Sequence, residues 1–175
     1  MSQGKIVFIE TPVTLKQRYG EMASAAHLVP PLGLMSLAAV CREAGYKTEI
    51  IDATALGLTT EQVVVEIQKM RPRYIGLTAA TVSFYNTIRL AHLLKTNRPE
   101  LIIIMGGVHV TALPIETLQE NPDIDYVVVG EGEETLLHLL AVLEQKKELT
   151  AVAGIAYRNG QEIRVINQRD PKREK

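Results

Sequence analysis

The chain has 175 residues, 46% hydrophobic and 22% charged, which suits one buried core and is short for two. A formal net charge of -1 gives no electrostatic footprint for nucleic acid or an anionic membrane surface. Cys41 is the only cysteine, which excludes an intramolecular disulfide, a cysteine-ligated iron–sulfur cluster and a thiolate zinc site within the chain.

Lys5 to Ile9 is a short apolar run rich in β-branched residues and reads as a buried first strand. No charged-then-apolar leader precedes it, and no apolar run approaches the roughly 20 residues of a spanning helix, so the expected location is the cytoplasm. From Glu10 to about Gly33 the chain shows no clear periodicity. Loops that long are uncommon in compact domains and are often functional, and this one carries Tyr19, Met22, His27 and Pro30-Pro31. It is read as part of a binding site.

Leu34 to Ala44 has helical spacing, and Gly45 stands where a left-handed cap is needed. Lys47 to Ile51 is the second strand, and Thr59 with Gln62 forms a capping-box pair for a helix that runs to Met70, before Pro72. Tyr74 to Leu77 is the third strand, followed by a helix from Phe84 to Asn97. Leu101 to Met105 is the fourth, and Pro114 opens a helix that ends before Asn121. Tyr126 to Val129 is the fifth, followed by an apolar helix from Glu133 to about Lys146. Gly154 to Arg158 and Gln161 to Ile166 flank Asn159-Gly160, a strong two-residue hairpin signal.

Five strands alternating with helices imply an α/β fold: a flavodoxin-like, Rossmann-like, doubly wound five-stranded parallel sheet of order 2-1-3-4-5, with a C-terminal β-hairpin on its edge. The expected division is an α/β domain over residues 1–150, the hairpin over 151–168, and a tail or linker over 169–175. Cys41 falls in a helical pattern and reads as a small core residue. His92 and His138 fall within helices and read as structural or exposed.

In such a sheet, ligands bind outside the carboxyl ends of the strands. Two of those ends carry glycine pairs, Gly106-Gly107 and Gly130-x-Gly132, which remove side chains where a broad ligand must approach. On this reading a bulky side chain at Gly107 blocks the ligand and leaves the fold intact. Glu131, Glu133 and Glu134 complement the dipole of the last helix but would repel a pyrophosphate, which disfavours a dinucleotide. The acidic cluster and lysine of a phosphoacceptor receiver are missing, since Glu10, Thr78 and Gly130 occupy the corresponding strand ends. A large neutral macrocycle suits the edge better, with Thr78 and Thr81 available to bond peripheral amides.

Pro30-Pro31-Leu32-Gly33-Leu34, Ala44-Gly45-Tyr46, Ile51-Asp52-Ala53, Ile75-Gly76-Leu77-Thr78, Gly106-Gly107-Val108-His109 and Gly130-Glu131-Gly132-Glu133 follow one another in that order. Together they resemble the amino-terminal cobalamin-binding domain of class B radical SAM enzymes, the group of magnesium-protoporphyrin ester cyclases and of methylases. The resemblance spans Lys5 to about Ile166 and implies cobalamin (B12) held at the carboxyl edge of the sheet. Glu10, Thr11 and Pro12 after the first strand, and Pro31 and Gly33 before the next helix, are the first part of the implied site. Thr78, Ala80 and Thr81, then Gly106, Gly107, Val108 and His109, then Gly130, Glu131 and Gly132 complete it.

The resemblance also implies a radical SAM barrel, in cis or in trans, that supplies S-adenosylmethionine, a 4Fe-4S cluster and the pocket for a small-molecule substrate. The cysteine motif of such a barrel is not in this chain, so the chain by itself is not read as catalytic. By resemblance, the complete enzyme pairs methylcobalamin with a 5′-deoxyadenosyl radical in methylation, or uses the corrin in a cyclisation. The Asp-x-His-x-x-Gly pattern of other cobalamin proteins is imitated by Asp52 to Gly57 with Thr54 in the histidine place, but after the second strand rather than the first. The expectation is therefore base-off cobalamin without a histidine in the familiar place and with no protein ligand to cobalt; His27, in the loop after the first strand, is the minor alternative as a cobalt ligand. Two other readings compete: a flavodoxin-like docking or regulatory domain without a cofactor, and a flavin-binding electron carrier.

Overall fold

The computed structural model describes residues 3–14, 16–17, 20–25 and 28–167. His27 and the tail beyond residue 167 lie outside the described residues. In chain order the elements are β1 (Lys5–Glu10), α1 (Leu32–Glu43), β2 (Lys47–Asp52), α2 (Thr60–Met70), β3 (Tyr74–Thr78), α3 (Phe84–Asn97) and β4 (Ile102–Gly106). They continue with α4 (Val108–Ala112), α5 (Pro114–Glu120), β5 (Tyr126–Val128), α6 (Glu133–Gln145), β6 (Ile155–Asn159) and β7 (Glu162–Ile166).

The strands form one seven-stranded sheet in the order β2-β1-β3-β4-β5-β6-β7. The first five are parallel and in the expected flavodoxin-like order, and the hairpin adds to β5 antiparallel through Tyr126↔Tyr157 and Val128↔Ile155. The Arg158 guanidinium fixes that hairpin from below by donating to the carbonyls of Leu118, Asn121 and Ile124.

Strand alternation sends two sets of side chains to opposite faces. Val7, Ile9, Ile75, Leu77, Ile103, Met105 and Val127 pack with Val63 and Ile67 of α2 and with Leu90, Ala91 and Leu94 of α3. Ile6, Phe8, Tyr74, Ile104 and Val128 face the other way, against Leu34, Ala38 and Cys41 of α1 and Leu136, Leu139 and Leu140 of α6. Burial pushes the Cys41 thiol up to about 12, so it stays protonated at neutral pH and acts as a small core side chain.

The local signals act as written. Thr59 N–H donates to Gln62 Oε1 at 2.8 Å while Gln62 N–H donates to Thr59 Oγ1 at 3.2 Å, closing the capping box. Gly45 takes φ +92° after α1. The segment after β4 differs from expectation, because a short helix, α4, precedes the one that Pro114 opens. Five residues are too few to show a helical period, and Leu113 breaks the run with φ -131°. Within the long first connection, Gly20–Ala25 forms a 3-10 helix. Among the described residues no helix is long and apolar enough to cross a membrane.

Candidate functional site

The order 2-1-3 makes the carboxyl ends of β1 and β3 a switch point, from which the following helices, α1 and α3, leave for opposite faces of the sheet. A crevice opens where connections diverge in this way. Here it is a cavity of about 430 Å³, within the range of small-molecule sites. Its mouth is made by Glu10, Thr78, Gly106, Gly107, Val108, Gly130, Glu131 and Gly132, and by Pro31, Leu32 and Gly33 at the start of α1. Its interior runs down the α1/α6 face of the sheet between Phe8, Ile104 and Val128 on one side and Leu34, Leu37 and Leu136 on the other.

Two strand positions without side chains shape this slot. Gly76 pairs with Phe8, and a Cβ there would stand 2.5 Å from Phe8 Cδ1, so only glycine lets the ring lie flat across β3. At the end of β4, a Cβ on Gly106 would have Val128 Cβ and the Val128 carbonyl oxygen as its nearest neighbours, both at 4.0 Å. Gly106 is thus a gap in the cavity wall, with ordinary room around it.

Gly107 behaves differently, which corrects the reading of the pair as two equivalent openings. Its φ is +106°, and a Cβ would fall 2.6 Å from the Ala79 carbonyl oxygen and 2.9 Å from the Ala79 nitrogen. Those atoms are in use: Ala79 N–H donates to the Gly106 carbonyl at 2.9 Å, and His109 N–H donates to the Ala79 carbonyl at 3.2 Å. Gly107 therefore joins the β3 and β4 turns, and a side chain there breaks the turn before it meets any ligand.

Among the described residues the lining contains carboxylates and a threonine but no lysine, arginine or histidine. Glu133, the first residue of α6, accepts from the Ser36 hydroxyl at 2.7 Å and so links α6 to α1 beside the mouth. That hydrogen bond, with help from backbone N–H groups at the helix start, holds its carboxyl below the usual range. The link is present at neutral pH and is lost as pH falls through that lowered value. Gly130, with φ +78°, turns the chain out of the sheet, and its N–H donates to Thr111 Oγ1 at 3.1 Å.

Five residues of the implied cobalamin site, Thr11, Pro12, Ala80, Thr81 and His109, do not line this cavity. Thr11 is buried, with its hydroxyl 3.1 Å from that of Thr87, and the Pro12 carbonyl accepts from Asn86 Nδ2 at 3.0 Å. Ala80 N–H donates to Ser83 Oγ at 3.1 Å as part of the turn into α3. Thr81 Oγ1 lies 3.3 Å from His109 Nδ1, and the His109 ring rests on Phe84 with centroids 4.0 Å apart. These two form a separate aromatic corner on the same edge. His92, on α3, contacts Asp123 at 2.9 Å, and His138 is exposed on α6.

Phe8, Leu37, Ile104, Val128 and Leu136 line the cavity and were not singled out from sequence, while Leu34, Gly76 and Leu77 stand in the ordered motifs but were not assigned to the site. Their signal is the ordinary one for core residues, because hydrophobic periodicity marks which side chains point inward and not whether they meet a neighbour or a void.

A family model described as a B12 binding domain matches residues 21–140. An uncharacterized methyltransferase of Pyrococcus horikoshii is 38% identical over 135 residues, covering 77% of this chain and 29% of the relative. An anaerobic magnesium-protoporphyrin IX monomethyl ester cyclase of Synechocystis is 36% identical over 137 residues, covering 77% of this chain and 28% of the relative. The chain thus spans less than a third of the length of these curated relatives. Among solved structures, the cobalamin-dependent S-adenosylmethionine radical enzyme OxsB, with aqua-cobalamin and S-adenosylmethionine bound, superposes with a TM-score of 0.78 at 21% identity. That match covers 96% of this chain and 22% of OxsB, and shows a shared fold.

Proposed function

We propose, from the fact that this chain belongs to the B12-binding domain family, that it holds cobalamin base-off, with the nucleotide tail in the slot and the corrin over the carboxyl edge. It does so for a radical SAM catalytic domain of cyclase or methyltransferase type, in cis or in trans. The observation that carries the reading is the cavity itself: an apolar slot entered between the β1, β3, β4 and β5 ends, past a strand position, Gly106, where a side chain would intrude. Phe8, Leu34, Leu37, Ile104, Val128 and Leu136 suit the cofactor's flat aromatic base. At the mouth, Thr78 and the carboxylates of Glu10, Glu131 and Glu133 are acceptors suited to the amide groups around a corrin.

When bound, cobalamin supplies cobalt-centred group-transfer or radical chemistry, and this chain supplies binding and orientation. Its residues exclude water from the slot, hold the tail away from the metal, and present the corrin face outward. The surroundings of the mouth support a partner domain there. Leu32, Leu56, Val82, Tyr85 and Val108 are large apolar residues exposed by 58% to 84%, and all stand in the turns after the strands' carboxyl ends or in the first turn of the helices that follow. Exposed apolar residues gathered on one edge fit a surface that a second protein domain covers.

The purified chain mixed with excess hydroxocobalamin and desalted is expected to keep close to one equivalent of corrin, with the visible spectrum of the base-off form. A colourless protein after desalting, or a retained corrin with a base-on spectrum, overturns this reading.

A further inference from the structure

The imitation motif after β2 has a role unrelated to cobalt. Thr54, in its histidine place, sends its hydroxyl to the start of the long first connection: Oγ1 lies 3.3 Å from Val13 N, 3.2 Å from the Thr11 carbonyl oxygen and 3.4 Å from that of Val13. It accepts from the first and has one proton for the other two. On the same stretch Asn86 Nδ2 donates to the Pro12 carbonyl at 3.0 Å. Thr87 Oγ1 is 3.1 Å from Thr11 Oγ1 and 2.9 Å from the Ser83 carbonyl, and its one proton serves either acceptor.

These tethers come from the turn after β2 and the first turns of α3, and α3 packs on the face of the sheet opposite the cavity. Thr11 and Val13 are 1% and 2% exposed, and Thr87 is fully buried. Glu10, the residue just before the tethered stretch, lines the cavity mouth, and the same connection returns to the mouth through Pro31. The strap is thus pulled to one face while the ligand enters the other.

We infer that Thr54, Asn86 and Thr87 are positioning residues: by fixing Thr11–Val13 on the α3 side, they keep the β1 exit clear of the slot and set the residence time of the cofactor. The inference rests on the cobalamin reading above and concerns this chain's own framework.

The test is the rate at which bound cobalamin exchanges with labelled free cobalamin, measured beside the thermal midpoint of the unliganded chain. Thr54→Val with Thr87→Val is expected to speed exchange about tenfold, the effect of one to two net hydrogen bonds expressed mainly in dissociation. Thr87→Ser, which keeps the hydroxyl, is expected to exchange at the parent rate. Thr117→Val is the control: its hydroxyl donates to the Leu113 carbonyl at 2.6 Å and it is 2% exposed, but it belongs to α5. It is expected to lower the midpoint and leave exchange unchanged.

Asn86→Ala removes one tether from a partly exposed residue and reads the same effect if the double variant fails to fold. Exchange at the parent rate in the Thr54, Thr87 and Asn86 variants overturns the inference, as does acceleration in Thr117→Val equal to theirs. A parent chain that keeps no cobalamin overturns the underlying reading and the inference with it, a result distinct from binding that the tethers do not affect.

Discussion

Gly106→Phe is expected to abolish cobalamin retention while leaving the fold as stable as before or more so. The nearest atoms to a Cβ at Gly106 are 4.0 Å away, its backbone lies in β4, and its side of the strand faces the slot. Phenylalanine has the higher strand propensity, and glycine within a strand costs roughly 0.5–1 kcal/mol against a residue with a side chain. The ring would lie against Val128 in the slot where the cofactor's tail is proposed to lie. A loss of affinity of at least about 100-fold follows from blocking the slot, since nearly all of the tail's burial is forfeited. Desalting with hydroxocobalamin reads the first effect and thermal unfolding the second. Retention at the parent level would mean that the tail does not enter this slot.

At the next residue the expectation reverses. Gly107→Ala is expected to destabilise the fold by roughly 3 kcal/mol, from a backbone region nearly restricted to glycine plus the displaced hydrogen bonds of Ala79. The new methyl would lie against backbone atoms rather than a flexible side chain, so the turn itself must move. Urea unfolding of the unliganded chain measures this without any cofactor. A loss below about 0.5 kcal/mol, the range of a neutral surface change, would show that the turn tolerates a side chain and that the pair was rightly read as two equivalent openings.

The contrast between these neighbours shows where reading the sequence stops. A glycine pair after a strand signals that side chains are unwelcome, but the sequence does not say whether ligand or backbone excludes them. Only the positive φ of Gly107 and the position of Ala79 separate the two. The sheet order, the hairpin and the caps were legible because each has a short-range cause: apolar runs of strand length, the glycine at 160, and Thr59 with Gln62; the hairpin turn itself falls one residue later than expected, on Gly160-Gln161, because Asn159 pairs with Glu162 as the last residue of β6. α4 was hidden because five residues show no period.

The cavity walls were legible as core and not as cavity. Phe8, Ile104 and Val128 alternate with residues of the opposite face as any buried strand residues do, and the void arises from how α1 and α6 approach them. The strap tethers were hidden for another reason. Thr54 and Asn86 reach residues 41 and 74 positions away, and single polar residues carry no pattern that announces such partners. The six ordered segments did point to the family, and four of them, those holding Pro31, Thr78, Gly106 and Gly130, contribute residues to the cavity.

Electron paramagnetic resonance of the cob(II)alamin-loaded chain, grown with and without nitrogen-15, tests base-off binding in the slot most directly. The expected spectrum has no resolved nitrogen superhyperfine splitting in either sample. A triplet that persists after labelling would place the cofactor's own base on cobalt, and one that becomes a doublet would place a protein histidine there; either contradicts the account.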